Sequence, residues 1–192
     1  MDERQLMEKM EASGAFKKGH FRLSSGLHSD TYIQCALLLS SPEAAVEIGR
    51  ELAGRVDREI DLVACPALGG IIIGFAVALA MGVPMVFSER AEGKMCFRRG
   101  FGFQTGSKVL LVEDVVTTGA STMELAALVE DNGGSVEALG CIVSRGGYEP
   151  IGYPLFYLVR LDATAYRPED CPLCAEGLPL EAPGSRHLRA DP

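Results

Sequence analysis

The chain has 192 residues, 47% of them hydrophobic, which is enough to fill the core of one domain. Its formal net charge of -8 argues against general nucleic acid affinity, because a phosphate backbone is held chiefly by basic surface. Six cysteines are present, and Cys35, Cys65, Cys96 and Cys141 stand alone in apolar or loop contexts, which excludes a disulfide scaffold.

Met1 to Met10 begins with mixed charges and lacks an apolar signal core, so a cytoplasmic location is expected. Apolar spacing at Leu6, Met7 and Met10 predicts an amphipathic helix over residues 2–12. The stretch GHFRLSSGLHSDTYIQ, Gly19 to Gln34, reads in two ways. It is either a surface hairpin with a packed Tyr32, or a ligand segment. In the second case Ser25 and Gly26 bring backbone N–H groups to an anion and Tyr32 offers a ring face to a planar base. Ser41 as N-cap and Pro42 at the first position then open a helix running to about Val56.

From Leu62 to Ser88 there is no charged residue, a run longer than the roughly 20 residues that a bilayer crossing needs. Its punctuation excludes a span. Pro66, Gly69, Gly70, Gly74, Gly82 and Pro84 divide it into a strand, a glycine turn, a helix over 70–81 and a second strand over 84–87, a βαβ unit buried in a sheet. The turn PALGG, Pro66 to Gly70, is built of small residues that let backbone amides approach a diphosphate. Arg90, Lys94, Arg98 and Arg99 then make the segment Ser88 to Phe101 basic. RGFGF, Arg99 to Phe103, opens like an RNA-recognition motif, but Gln104-Thr105-Gly106 breaks the pattern and the phenylalanines are expected to pack a hairpin flap.

The most informative stretch is VLLVEDVVTTGAS, Val109 to Ser121. Val109 to Val112 form an apolar run without alternation, as in a strand covered on both faces. Glu113 and Asp114 follow at its carboxyl end, the edge of an open α/β sheet where ligands bind, and two carboxylates there can accept hydrogen bonds from the hydroxyls of a sugar. Thr117, Thr118, Gly119 and Ser121 can wrap a phosphate at the start of a helix over 122–130, where the dipole favours an anion. A helix N-cap alone needs one acceptor, and this stretch offers more. Further strands are expected near Val136 and Phe156, with Arg145 directly after the run Cys141 to Ser144 and before Gly146-Gly147. In the tail from Arg167, Cys171 and Cys174 have zinc-knuckle spacing. With His187 as the one plausible third ligand nearby, an ordinary pair of thiols is expected rather than a metal or redox site.

Val109 to Ser121 resembles the 5-phosphoribosyl-1-pyrophosphate (PRPP) motif of the type I phosphoribosyltransferases, and Gly19 to Gln34 resembles the amino-terminal segment of orotate phosphoribosyltransferases. The similarity runs through nearly the whole chain, and the ending CPLCAEGLPLE resembles a distinct bacterial and archaeal branch. The resemblance implies an α/β fold with a mostly parallel central sheet flanked by helices, an N-terminal hood over about 1–60, a core over 61–166 and a tail over 167–192. It implies that PRPP lies along Glu113, Asp114, Val115, Val116, Thr117, Thr118, Gly119, Ala120 and Ser121. Ala67, Leu68, Gly69 and Gly70 would form the pyrophosphate loop, and Arg90 and Lys94 would come from a mobile loop. Ser25, Gly26, Tyr32, Thr117 and Arg145 would hold orotate, and Asp114, Glu113 and Lys94 would be catalytic. It further implies Mg2+ held mainly through PRPP, no protein metal site, and a homodimer. Where the best known branch has lysines, this chain has Ser24 and Gly69, and its loop carries no histidine. Two other functions remain open, a purine phosphoribosyltransferase and a PRPP-sensing regulator on the same fold.

Overall fold

The computed structural model describes residues 1–146, 152–162 and 164–183. Helix α1 (Glu3–Ala12) begins at a capping box, in which Asp2 accepts from the Gln5 N–H and the Gln5 side chain accepts from the Asp2 N–H. A hairpin of β1 (Phe16–Arg22) and β2 (His28–Ile33) follows, then the short α2 (Cys35–Leu38). Ser41 caps α3 (Pro42–Arg55), accepting from the Ala44 N–H, with Pro42 in the first turn where its missing N–H costs nothing. The chain continues through β3 (Leu62–Pro66), α4 (Gly69–Met81), β4 (Met85–Ala91), β5 (Lys94–Phe97), β6 (Lys108–Val116), α5 (Ala120–Asp131), β7 (Ser135–Arg145) and β8 (Leu155–Leu161). It closes with β9 (Ala165–Tyr166), a 3-10 turn at Pro168–Asp170 and α6 (Pro172–Ala175).

The central sheet has the order β5-β4-β3-β6-β7-β8, with every pair parallel except β4 and β5. The inner strands β3 and β6 carry apolar runs without alternation because both of their faces are covered. Leu110 and Val112 of β6 point into a cluster with Ile48, Leu52 and Val77 of α3 and α4, while Val109 and Leu111 point into a cluster with Leu125 and Val129 of α5. Among the described residues no helix is long and apolar enough to cross a membrane, and the uncharged run is the expected βαβ unit.

The strand order reverses between β3 and β6, so the loops after these two strands face one crevice at the carboxyl edge of the sheet. The segment expected to be a mobile loop is a β-hairpin. β4 extends to Ala91 and turns back as β5, because Ser88 to Ala91 pair antiparallel with Lys94 to Phe97. As expected of a hairpin flap, the phenylalanines brace it, with Phe87 against Phe101 and Phe97 against Phe103.

Residues 1–60, expected to form a hood, do not make one separate layer. Leu6 and Met10 of α1 and Ala45, Ile48 and Leu52 of α3 lie in the core cluster with strand residues of the central sheet, because both helices carry one apolar stripe that can be buried there. What stands apart is the antiparallel sheet β1-β2-β9, and the tail adds to it through a bridge between Phe21 and Glu181. Over the described residues 167–183 the tail lies along the hood sheet.

Helices α3 and α4 meet where Gly49 faces Ala76; a Cβ on Gly49 would fall 2.5 Å from the Ala76 Cβ. Gly49→Ala should therefore push the two helices apart and cost about 1–3 kcal/mol, read as a lower melting temperature; an unchanged value would mean the crossing has slack.

Candidate active site

Four segments converge at the carboxyl edge of the sheet, and each arrives there for a local reason. The turn after β3 passes so close to β6 that a Cβ on Gly69 would lie 2.8 Å from Asp114 Oδ1, and one on Gly70 would lie 3.0 Å from the Val112 carbonyl oxygen. Only glycine fits both positions without displacing the carboxylate or the strand. Ala67, Leu68 and Gly69 are exposed, so their backbone borders open space next to Asp114.

The two carboxylates are held differently. Glu113 Oε1 accepts from the Ser121 hydroxyl at 2.9 Å, and its Oε2 accepts from Ser121 at 3.0 Å and from the buried Thr122 hydroxyl at 2.8 Å. Asp114 Oδ1 accepts from the Val115 N–H at 3.0 Å. Burial raises both carboxyl groups above their ordinary pKa values. For Glu113 the Thr122 and Ser121 hydroxyls oppose the rise and the charge of Asp114 adds to it; for Asp114 backbone hydrogen bonds oppose it.

Below them α5 starts at Gly119, whose φ of 70° turns the chain sharply into the helix. No side chain caps this end and no acidic residue stands in its first turn. Its first N–H groups and the exposed Thr117 and Thr118 therefore form a place suited to an anion. Ser121 is the exception among the expected phosphate contacts, since its hydroxyl is turned to Glu113.

Arg145, at the end of β7, reaches the hood, where its Nη2 donates to Ser29 Oγ at 2.8 Å. Burial lowers its pKa and Asp30 opposes that, so a guanidinium with donors to spare sits partly desolvated between core and hood. Tyr32 packs its ring on Phe21 at 5.6 Å. Gly26 lies at the exposed hairpin tip with φ of 85°, and its N–H donates to the Leu23 carbonyl, so that amide is already spent on the turn; Ser25 is exposed beside it.

In the β4/β5 hairpin, Arg90 forms an ion pair with Glu124 of α5 and donates to the Gly93 carbonyl at 2.9 Å. Arg99 pairs with Glu89, whereas Lys94 is exposed and has no ion pair among the described residues. The hairpin thus rests on the first turns of α5, next to the anion-suited helix start, with Arg90 occupied by Glu124.

No protein-family model matches the chain. The orotate phosphoribosyltransferase of Carboxydothermus hydrogenoformans is 49% identical over 176 residues, covering 90% of this chain and 92% of that one. That of Thermotoga maritima is 45% identical over 186 residues, covering 96% and 100%. This chain belongs to the orotate phosphoribosyltransferases. Among solved structures, the family's enzyme from Aeropyrum pernix has a TM-score of 0.67 at 26% identity, covering 81% of this chain and 93% of that one. The Mycobacterium tuberculosis orotate phosphoribosyltransferase, solved with inorganic phosphate, has a TM-score of 0.65 at 27% identity, covering 83% and 96%.

Within this member of the family, sequence reasoning missed the groups that hold the named residues. Thr122 and Ser121 brace Glu113, Ser29 holds Arg145, and Glu124 holds Arg90. Thr122 had one legible signal, a hydroxyl on the core side of a predicted helix; the other partners come from distant segments. His20 and His28 were also missed. They approach Cys171 and Cys174, whereas His187 and Gly147 lie outside the described residues. Cys35, Cys65 and Cys141 are buried, and burial pushes the Cys65 and Cys141 thiols up to about 12, so these are packing residues.

A carboxyl whose folded pKa is raised contributes stability fully below its unfolded pKa and loses it as pH rises through the folded value. At neutral pH the charge on Asp114 is therefore a burden on the fold. Asp114→Asn should raise the melting temperature at neutral pH, with the gain shrinking as the pH falls into the ordinary carboxylate range; a lower melting temperature at neutral pH would show that the charge is compensated.

Proposed function

We propose that this protein transfers the 5-phosphoribosyl group of PRPP to orotate, giving orotidine 5'-phosphate and pyrophosphate in pyrimidine synthesis. The observation that carries this is the meeting of the Asp114 carboxylate with the Gly69 turn beside the uncapped start of α5. Arg145 and the relatives' shared activity point to orotate as the base.

The α5 amides and the Thr117 and Thr118 hydroxyls receive the 5-phosphate, and Asp114 accepts from the ribose hydroxyls with the capacity that Val115 leaves it. Glu113 has its oxygens turned to Ser121 and Thr122 and acts mainly through its charge. The bond from C1 to the diphosphate oxygen breaks with its electron pair on the oxygen. A ring nitrogen of orotate forms the new bond to C1, and its proton passes to solvent. Positive charge develops on the ribose meanwhile, and fixed carboxylates in a partly dry site stabilise it. Lys94, and Arg90 once exchanged from Glu124, neutralise the leaving diphosphate. Arg145 keeps N–H groups beyond its bond to Ser29 for the orotate carboxylate, and Tyr32 lies further along the same hood strand with its ring against Phe21. Closure of the β4/β5 hairpin over the site would keep water from hydrolysing PRPP.

Mg2+ fits the donors present. They are hard carboxylate oxygens, yet Glu113 already accepts from Ser121 and Thr122 and Asp114 from Val115, so the ion would be held mainly through PRPP, with Asp114 as the protein carboxylate best placed to assist. When bound it supplies charge neutralisation at the diphosphate.

The enzyme is proposed to be cytoplasmic and to work as a homodimer. Helix α4 is apolar throughout, and Leu68, Ile72, Phe75 and Leu79 on and beside it are exposed. A helix without a polar face is buried on all sides in its working state, and a second copy of this chain supplies the cover.

The deciding experiment is a steady-state assay with PRPP, Mg2+ and a panel of bases, in which orotate alone should turn over. A purine turned over instead would move the base assignment while leaving the PRPP site, and PRPP binding without transfer would make the protein a regulator. Asp114→Asn should lower kcat by roughly 10²-fold or more with the fold intact; unchanged turnover would remove its role. Phe75→Glu should convert a dimer into a monomer by light scattering, and a dimer that survives this substitution would place the interface elsewhere.

A further inference from the structure

Away from the crevice, two buried histidines and a cysteine pair come together. His20 on β1, His28 on β2, and Cys171 and Cys174 at α6 place one ligand atom each within 4.8 Å of all the others. His20 Nε2 lies 3.0 Å from His28 Nδ1, 3.5 Å from Cys171 Sγ and 3.6 Å from Cys174 Sγ, and Cys174 Sγ lies 3.3 Å from His28 Nδ1. Zinc bonds of about 2.0–2.1 Å to nitrogen and 2.3 Å to sulfur give tetrahedron edges of roughly 3.3–3.8 Å, close to these separations.

Hydrogen bonding among the four groups does not account for the arrangement. His20 Nδ1 sits 2.9 Å from the Leu178 carbonyl oxygen, which can only accept, so Nδ1 carries the proton and Nε2 presents a lone pair to the cluster. Three heteroatoms converge on that one lone pair. A carbonyl fixing the outer nitrogen of a histidine is also the usual support of a metal-bound imidazole. His20, His28 and Cys171 are 3%, 5% and 3% exposed, so an unfilled cluster would leave buried polar groups poorly matched.

The backbone delivers the four residues independently of any ion. Tyr166 pairs with His28 through β9, and Glu181 exchanges hydrogen bonds with His20 and Arg22 on β1, so the Cys171 to Cys174 turn is tied to the hairpin on both sides. The β1/β2 pairing slips between Lys18 and Phe21, the stretch that carries His20, and such a slip re-aims side chains.

We propose that His20, His28, Cys171 and Cys174 form a tetrahedral zinc site that pins the tail to the hood. Two imidazoles and two thiolates suit zinc, and four protein ligands leave no open position, so the site is structural. It also bears on the base site, a point that rests on the orotate reading. The residue after His28 is Ser29, which holds Arg145 and donates to the Thr164 carbonyl at 3.1 Å, so fixing β2 fixes the guanidinium.

The test uses the full chain, purified under reducing conditions and dialysed. Elemental analysis should find about one zinc per chain, and the cobalt-substituted protein should show the visible bands of tetrahedral cobalt with a thiolate-to-cobalt charge-transfer band. Cys174→Ser and His28→Ala should each lose most of the bound metal. The wild-type zinc content and cobalt spectrum need no variant, so a variant that misfolds does not blur the result. Folded wild-type protein that takes up no zinc, zinc retained in both variants, or a Cys171–Cys174 disulfide in place of metal would each overturn the site. Zinc-free protein should show a KM for orotate raised several-fold with the KM for PRPP nearly unchanged; equal KM values with and without zinc would overturn the link to Arg145. These readouts are separate from the function assay, because zinc content does not depend on which base is transferred.

Discussion

The approach of the Gly69 backbone to the Asp114 carboxylate is the constraint on which the rest of the site depends. It exists because β3 and β6 are parallel neighbours at the point where the strand order reverses, so the turns following both strands open toward one crevice. A side chain on Gly69 would occupy the space of the carboxylate. The glycine that departs from the better known branch is thus tied to this chain's own packing, and lets the turn after β3 and the Asp114 carboxylate share one wall.

The fold carries electrostatic cost at that wall. Glu113 and Asp114 are adjacent, largely buried and raised in pKa, and Ser121 and Thr122 donate to Glu113 without supplying a countercharge. On the proposed function the missing positive charge is that of the reacting ribose, and a site complementary to a charge present only during reaction is stressed in its resting form. The Arg90–Glu124 pair places a cation on α5 beside the helix start, where on the same proposal an anion would compete for it.

Hood and core are joined by a polar contact where the base is proposed to sit. Arg145 comes from the central sheet and Ser29 from the hood, while the hood is braced by a tail that returns to it through β9 and Glu181. The final described residues are therefore part of the hood's framework rather than an appendage.

Much of this was legible in the residues. Unalternating apolar runs marked the buried strands, Ser41-Pro42 marked the start of α3, and the order of carboxylates, hydroxyls and glycine marked the edge of β6, because each depends on neighbours in the chain. The extent of the hood was not legible, since the apolar stripes of α1 and α3 do not say against which surface they pack. Nor were the partners of Glu113, Arg145 and Arg90, or the pairing of His20 and His28 with Cys171 and Cys174, which lie more than a hundred residues apart. The sequence by itself determined the α/β class, the strand-and-turn elements and the chemistry at the end of β6, because period and spacing are local properties. Only the tertiary structure decided which distant side chains meet, because that depends on strand order and on where the tail returns, and no local pattern encodes either.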